Sequence, residues 1–150
     1  MTEVWTVGHS TRPLDQFLDL LAEHRLQALA DVRRLPASRR NPQFEGTSLA
    51  RELASRRVEY RHLEGLGGLR GDYLEHTRTP AFDAAVRELL STASSRRTAV
   101  MCAEAAWDRC HRRFLADVLV QRGAAVHHII APGVTAAHVP RGDRRLEEFA

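Results

Sequence analysis

The sequence has no lysine: all 22 of its strongly basic residues are Arg. A coding bias toward Arg accounts for that total, so the count alone carries no function. Position does matter, because the planar Arg fork matches carboxylate and phosphate groups in a way a lysine ammonium does not. Long apolar runs are missing too. None approaches the roughly 18 residues a helix needs to span a bilayer, which excludes a helical membrane protein and predicts no membrane partner. The opening stretch MTEVWTVGHS places an acid early and shows no charged-then-apolar leader, so it does not read as a signal peptide. A cytoplasmic setting is the expectation, and with it reduced thiols. Cysteine is scarce, two residues in 150, so no disulfide framework staples the fold. A net charge of +3 makes the whole molecule a weak attractant for nucleic acid.

What is present suits one domain: 150 residues with 43% hydrophobic content can bury one core but not two ordinary ones. Residues 3–8 (EVWTVG) form a β-branched and aromatic run stopped by Gly, a first strand. Pro13 opens a helix whose stripe is Leu14, Phe17, Leu18 and Leu21, with Asp15 in the first turn. Residues 26–32 are a second strand and residues 33–45, rich in Arg and Pro, a loop. Thr47 or Ser48 caps a second helix carrying Leu49 and Leu53. Residues 58–63 are a third strand, and Gly65, Gly67, Gly68 and Gly71 mark another loop. Thr79 and Pro80 start a helix with Phe82, Val86, Leu89 and Leu90 on one stripe. Residues 98–102 are a fourth strand, a helix follows, and residues 125–130 are a fifth. This alternation predicts an α/β fold: a single domain with a mainly parallel sheet of about five strands and helices on both faces, the Rossmann- or flavodoxin-like three-layer arrangement. Residues 1–130 carry the domain. Residues 131–150 are a tail packed on it, where Leu146 and Phe149 can dock a final turn.

In such folds ligands sit beyond the carboxyl ends of the strands. His9, Ser10 and Arg12 follow the first strand; Asp31, Arg33 and Arg34 the second; His62 the third; Cys102 and Glu104 the fourth; and His127 and His128 stand near the fifth. Residues 97–113 are the densest patch. With Asp108 as cap, Cys110 falls in a helix's first turn, where free N–H groups, Arg109 and Arg112 favour a thiolate. Cys102 ends an apolar strand and reads equally as a packed thiol. His111 is in phase with Phe114, Leu115 and Val118, so it is either a core histidine or an acid/base group beside Glu104. Arg33, Arg39 and Arg40, with Asn41 and Phe44, can cradle a phosphate, or simply form a solvated loop. No spacing matches a zinc site, so no metal ligand is assigned, and no cofactor is indicated.

Taken together, the chain resembles the domain-of-unknown-function 488 family of bacterial and archaeal proteins, from Thr6 to about Ile130. The motifs that carry the resemblance are Thr6 to Arg12, Asp31-Val32-Arg33 with Pro36, Ser38 to Pro42 with Phe44, Tyr60, His62, Leu66-Gly67-Gly68, Cys102-Ala103-Glu104 and Arg109-Cys110-His111-Arg112. The resemblance implies an α/β fold and marks these polar positions as a signature; it implies no activity. The segment between Gly68 and Pro80 is shorter here than in longer members, at the place of a lid or specificity loop.

Three functional readings follow. The leading one is an enzyme-like pocket for an anionic small molecule bearing phosphate or carboxylate, with nucleotide-derived molecules among the candidates. In it Cys110 or Cys102 supplies a thiolate, Glu104 or His111 acid/base work, and His9, Ser10, Arg12, Asp31, Arg33, Arg39, Arg40, Asn41, Phe44, His62 and Arg112 bind the ligand. The second is a nucleic-acid- or protein-binding module with structural cysteines. The third is a redox switch through a Cys102–Cys110 disulfide, which requires the two Cα atoms within about 7 Å, or else a metal site.

Overall fold

Glu3–Gly8 (β1) is buried along all but its first residue and has a parallel neighbour on each side, as a near-continuous apolar run in a parallel sheet should. The computed structural model describes residues 1–68 and 72–140. In chain order the remaining elements are α1 (Leu14–Glu23), β2 (Ala28–Asp31), α2 (Gly46–Ser55), β3 (Glu59–His62), α3 (Tyr73–His76), α4 (Pro80–Ser95), β4 (Thr98–Cys102), α5 (Arg112–Gln121), β5 (Ala125–Ala131) and β6 (Val134–Ala137). The strands form one sheet in the order β3-β2-β4-β1-β5-β6. The first five are parallel, and β6 runs antiparallel to β5. The expected α/β architecture is therefore present, with one strand more than the five anticipated.

That sixth strand has a physical reason for escaping notice. Val134–Ala137 is almost wholly exposed, so it lacks the apolar alternation that marks a half-buried strand. The turn into it runs through Pro132 and Gly133, the latter with φ 71°, a conformation glycine takes without a Cβ clash. Leu146 and Phe149, expected to dock the tail, and Gly71, expected in the glycine loop, lie outside the described residues.

Two caps differ in their fate. Thr79 caps α4 as expected, its Oγ1 accepting from the Phe82 N–H at 3.2 Å, with Pro80 opening the helix. For α2 the cap is Glu45 and not Thr47 or Ser48: one carboxylate oxygen accepts from both of their N–H groups, at 3.0 and 3.2 Å. A carboxylate meets two open N–H groups of a helix end and complements its dipole, which a hydroxyl does less well.

Alternate residues of each strand enter opposite cores, as the two-residue period of a strand requires. Trp5, Val7, Leu29, Ala99 and Met101 pack with Phe17, Leu18, Leu49 and Leu53 of α1 and α2. Val4, Ala30, Val100, Cys102 and Val126 pack with Phe82, Val86, Leu89, Leu115 and Leu119 of α4 and α5. The chain thus leaves β1 and β2 toward one face and β4 toward the other. Because β4 lies between β2 and β1, the loops part on either side of it, which makes the end of that strand the topological switch point where ligands of such folds bind. Cys102 is its last residue.

Candidate functional site

The end of β4 is locked to the end of β1. His9 N donates to Cys102 O and Ser10 N to Ala103 O, both at 2.9 Å. The approach is close enough that a Cβ on Gly8 would fall 1.9 Å from the Glu104 carbonyl oxygen, so only glycine fits there. The chain then bends away from the sheet and returns Cys110 to the place where Cys102 ends.

The two thiols meet, Sγ to Sγ, at 3.4 Å. Cys110 is extended, with φ −135°, and stands just outside α5. The helix begins at Arg112 with His111 as cap, so Asp108 does not cap it and Cys110 is not in its first turn. The helix end still faces the sulfur, since the Arg112 N–H points to Cys110 Sγ at 3.3 Å and Arg112 Nε reaches it at 3.4 Å. Cys102 is 2% exposed and Cys110 only partly buried. The contact with Cys102 and the positive charge of Arg112 together outweigh burial and bring the Cys110 thiol down to about 6. The same contact raises the Cys102 thiol far above its ordinary value, with burial adding to it. The pair therefore favours ionisation at Cys110 over Cys102.

Arg112 is itself 1% exposed. It donates to the carbonyls of Glu104 and Ala105, at 2.6 and 3.1 Å, and to Thr6 Oγ1 at 3.2 Å. From Thr6 a chain of polar groups runs on: Thr6 Oγ1 to His128 Nδ1 at 2.6 Å, His128 Nε2 to His138 Nδ1 at 2.9 Å, and His138 Nε2 to Asp117 Oδ1 at 2.6 Å. One assignment satisfies every atom. Arginine only donates, so the Thr6 oxygen accepts from it and passes its own proton to His128; each histidine then donates from Nε2, and the Asp117 carboxylate accepts last. Trp107, in the loop that carries Cys110, lies flat on His128 with centroids 4.1 Å apart and planes 2° apart.

Of these residues, the sequence reading had Arg112 as a ligand-binding side chain, Thr6 within a signature motif, and His128 as one of a histidine pair near a strand end. Its register was the usable signal, since it shares the buried face of β5 with Val126, two positions away. Nothing in the sequence marked His138, which follows the unforeseen β6, or Asp117 of α5, which it meets.

A second cluster occupies the α1/α2 side. Asp31, fully buried, accepts from Arg33 N at 3.0 Å, Arg33 Nε at 2.9 Å, Arg33 Nη2 at 2.7 Å and Tyr60 OH at 2.6 Å. His9 stacks on Phe44 at 4.5 Å, Phe44 meets Phe17 edge-on, and His62 Nε2 donates to Arg33 O at 2.7 Å. The expectation of a single ligand-lining set is therefore divided. Asp31, Arg33 and Phe44 are buried, with the two charged groups paired to each other and Phe44 stacked on His9. Arg12 likewise joins two strand ends, donating to Gly8 O and Ile130 O, while Asn41 turns onto Ser38. Arg39 and Arg40 are exposed, and Ser10 is half-buried with φ 49°. Glu104 contributes its carbonyl to the site, whereas its side chain is exposed.

His111 is placed between these regions. Its ring lies 5.1 Å from Tyr73, a Cβ on Gly68 would come within 3.1 Å of its Nδ1, and its Nε2 is buried with no hydrogen-bond partner among the described residues. Burial, reinforced by Arg112 against the Val32 backbone, lowers it to about 4; burial, then His138, Arg112 and His127, lowers His128 to about 3. Both rings are neutral at pH 7 in the folded chain, but in the unfolded chain they take up protons below about 6.5. Their contribution to stability is therefore complete above that pH and is lost as pH falls toward 4 and 3. Urea unfolding at pH 7 and pH 5 should show a loss of roughly 1 kcal/mol for each histidine once solvent screening is allowed for. A flat profile over that interval would contradict their neutral burial.

Among the described residues no group of three or more His, Cys, Asp or Glu stands so as to hold a metal ion, and no helix is long and apolar enough to cross a membrane. A doubly wound α/β protein with a thiol pair at the point where its loops part is the class these features define. The chain belongs to the family described as Domain of unknown function DUF488, whose model matches residues 13–119. That span includes Asp31, both cysteines and Arg112, while His9, Ser10 and Arg12 precede it. No curated protein and no solved structure matches the chain.

Proposed function

We propose that the protein is a thiolate-dependent enzyme acting on an anionic small molecule, with Cys110 as its nucleophile. The observation that carries this is the Cys110 sulfur, part-buried yet facing the N–H and Nε of Arg112 and the thiol of Cys102, at the carboxyl ends of parallel strands. Inert structural cysteines are packed among apolar groups; reactive ones sit in electropositive, partly accessible surroundings. Among the described residues, Arg34, Arg39 and Arg40, exposed on the loop after β2, and Arg109, exposed beside Cys110, are cations able to meet a phosphate or carboxylate, whereas Arg12, Arg33 and Arg112 bond within the protein. His111 is the nearest candidate for acid/base work, being neutral and buried beside Arg112.

The test is the pH dependence of iodoacetamide alkylation at each cysteine, read by peptide mass. Cys110 should react with a midpoint near 6, Cys102 should stay protected, and pyrophosphate or a nucleoside phosphate should slow Cys110. Two ordinary thiols titrating near ~8.5, with no protection by any phosphorylated ligand, would remove this reading. Salt-sensitive nucleic-acid binding that survives Ser at both cysteines would favour a binding module instead.

A further inference from the structure

The geometry points to a dithiol couple: we infer that Cys110 and Cys102 are the attacking and resolving thiols of an exchange reaction whose substrate is a small-molecule disulfide. This rests on the reading of Cys110 as a nucleophile and names the class of bond it attacks. Three observations support it. The sulfurs are already in contact at 3.4 Å, so a bond between them needs a short side-chain movement and no rearrangement of the sheet. Access is unequal, because Cys102 is 2% exposed while Cys110 is only partly buried; an incoming disulfide can reach only Cys110. The charged donors are unequal as well, for the Arg112 N–H and Nε both address Cys110 and neither addresses Cys102. A nucleophile that is accessible and ionised, backed by a second thiol that is shielded and protonated, is the division of labour that exchange requires.

The reaction balances as follows. The Cys110 thiolate attacks one sulfur of R–S–S–R, forming Cys110–S–S–R and expelling RS⁻. Cys102 then gives up its proton and attacks Cys110 Sγ in the mixed disulfide. The Cys102–Cys110 bond forms, and the second RS⁻ leaves, taking that proton as RSH. The substrate gains two electrons and the protein pair loses two; an external thiol reductant restores the pair by the reverse exchange. With apolar neighbours alone Cys102 would be a packing residue. Its sulfur instead lies in contact with the Cys110 sulfur that the substrate disulfide would reach.

Oxidised glutathione serves as the probe, with free thiols counted and masses measured on the whole protein at pH 7. Wild type should lose both free thiols, lose two hydrogens and carry no glutathione. Cys102→Ala and Cys102→Ser should each stop at a stable glutathione adduct on Cys110. The inference falls if wild type retains glutathione on Cys110 while Cys102 remains a free thiol. It falls too if neither thiol reacts with the disulfide although iodoacetamide alkylates Cys110 rapidly at pH 7, an outcome that leaves the nucleophile reading intact. Slow reaction of Cys110 with both reagents would remove the two readings together. The wild-type measurement decides even where a Cys102 variant folds poorly.

Discussion

Arg112→Met will lower the stability of the fold by about 3 kcal/mol and reduce alkylation of Cys110 at pH 7 by roughly tenfold. The first effect follows from what the guanidinium satisfies. Two carbonyls of the loop after β4, the Thr6 hydroxyl and the Cys110 sulfur all receive its protons, and at 1% exposure water cannot replace it. Methionine fills the volume but leaves those acceptors unpaired. The second effect follows from charge. Without the cation the Cys110 thiol rises from about 6 toward ~8, where about a tenth remains ionised at pH 7; the Cys102 contact, which is retained, prevents a full return. Arg112→Lys keeps the charge but not the fork, so it should preserve more of the reactivity than of the stability. Urea unfolding and the alkylation profile measure the two separately. An unchanged profile in Arg112→Met would detach this residue from the thiolate.

Asp31→Ala should be the most destabilising single change on the opposite side of the sheet, by about 3 to 5 kcal/mol. Its carboxylate is fully buried and accepts three bonds from Arg33 and one from Tyr60. Removing it strands a guanidinium that is 6% exposed, and an uncompensated buried charge is among the costliest defects a core can hold. Asp31→Asn keeps the shape and an acceptor for Tyr60, and should lose less. Because this cluster packs with α1 and α2 while the thiols pack with α4 and α5, Asp31→Asn should leave the Cys110 alkylation profile where it is in wild type. A shift in that profile would make the Asp31 cluster part of the reactive site and not its scaffold.

Much of the site was readable along the chain for one reason. In a parallel sheet every strand delivers its last residue to the same edge, so finding where strands end also finds which residues share that edge. Cys102 was located this way, as were Asp31 and His9. Arg33, Arg12 and Phe44 were found at the edge but assigned to a ligand, because a one-dimensional reading shows that a charged or aromatic side chain is present and not which buried group it meets. Glu104 was singled out for its carboxylate, yet its backbone carbonyl is what touches Cys102 and Arg112. The helix start was misplaced because an extended Cys110 separates the cap expected at Asp108 from the observed one, His111, three residues on.

The periodicities of the sequence determined the alternation of strands and helices, the parallel sheet, and the edge where polar residues gather, since each depends on contacts between near neighbours in the chain. The contact of Cys102 with Cys110, the burial of Arg112, and the line from Thr6 through His128 and His138 to Asp117 were decided only by the tertiary structure. Those groups come from β1, β4, the turn before α5, α5 itself, β5 and the residue that follows β6, and which of them touch depends on strand order. Local pattern does not encode that order, because any ordering of the same strands buries the same apolar faces.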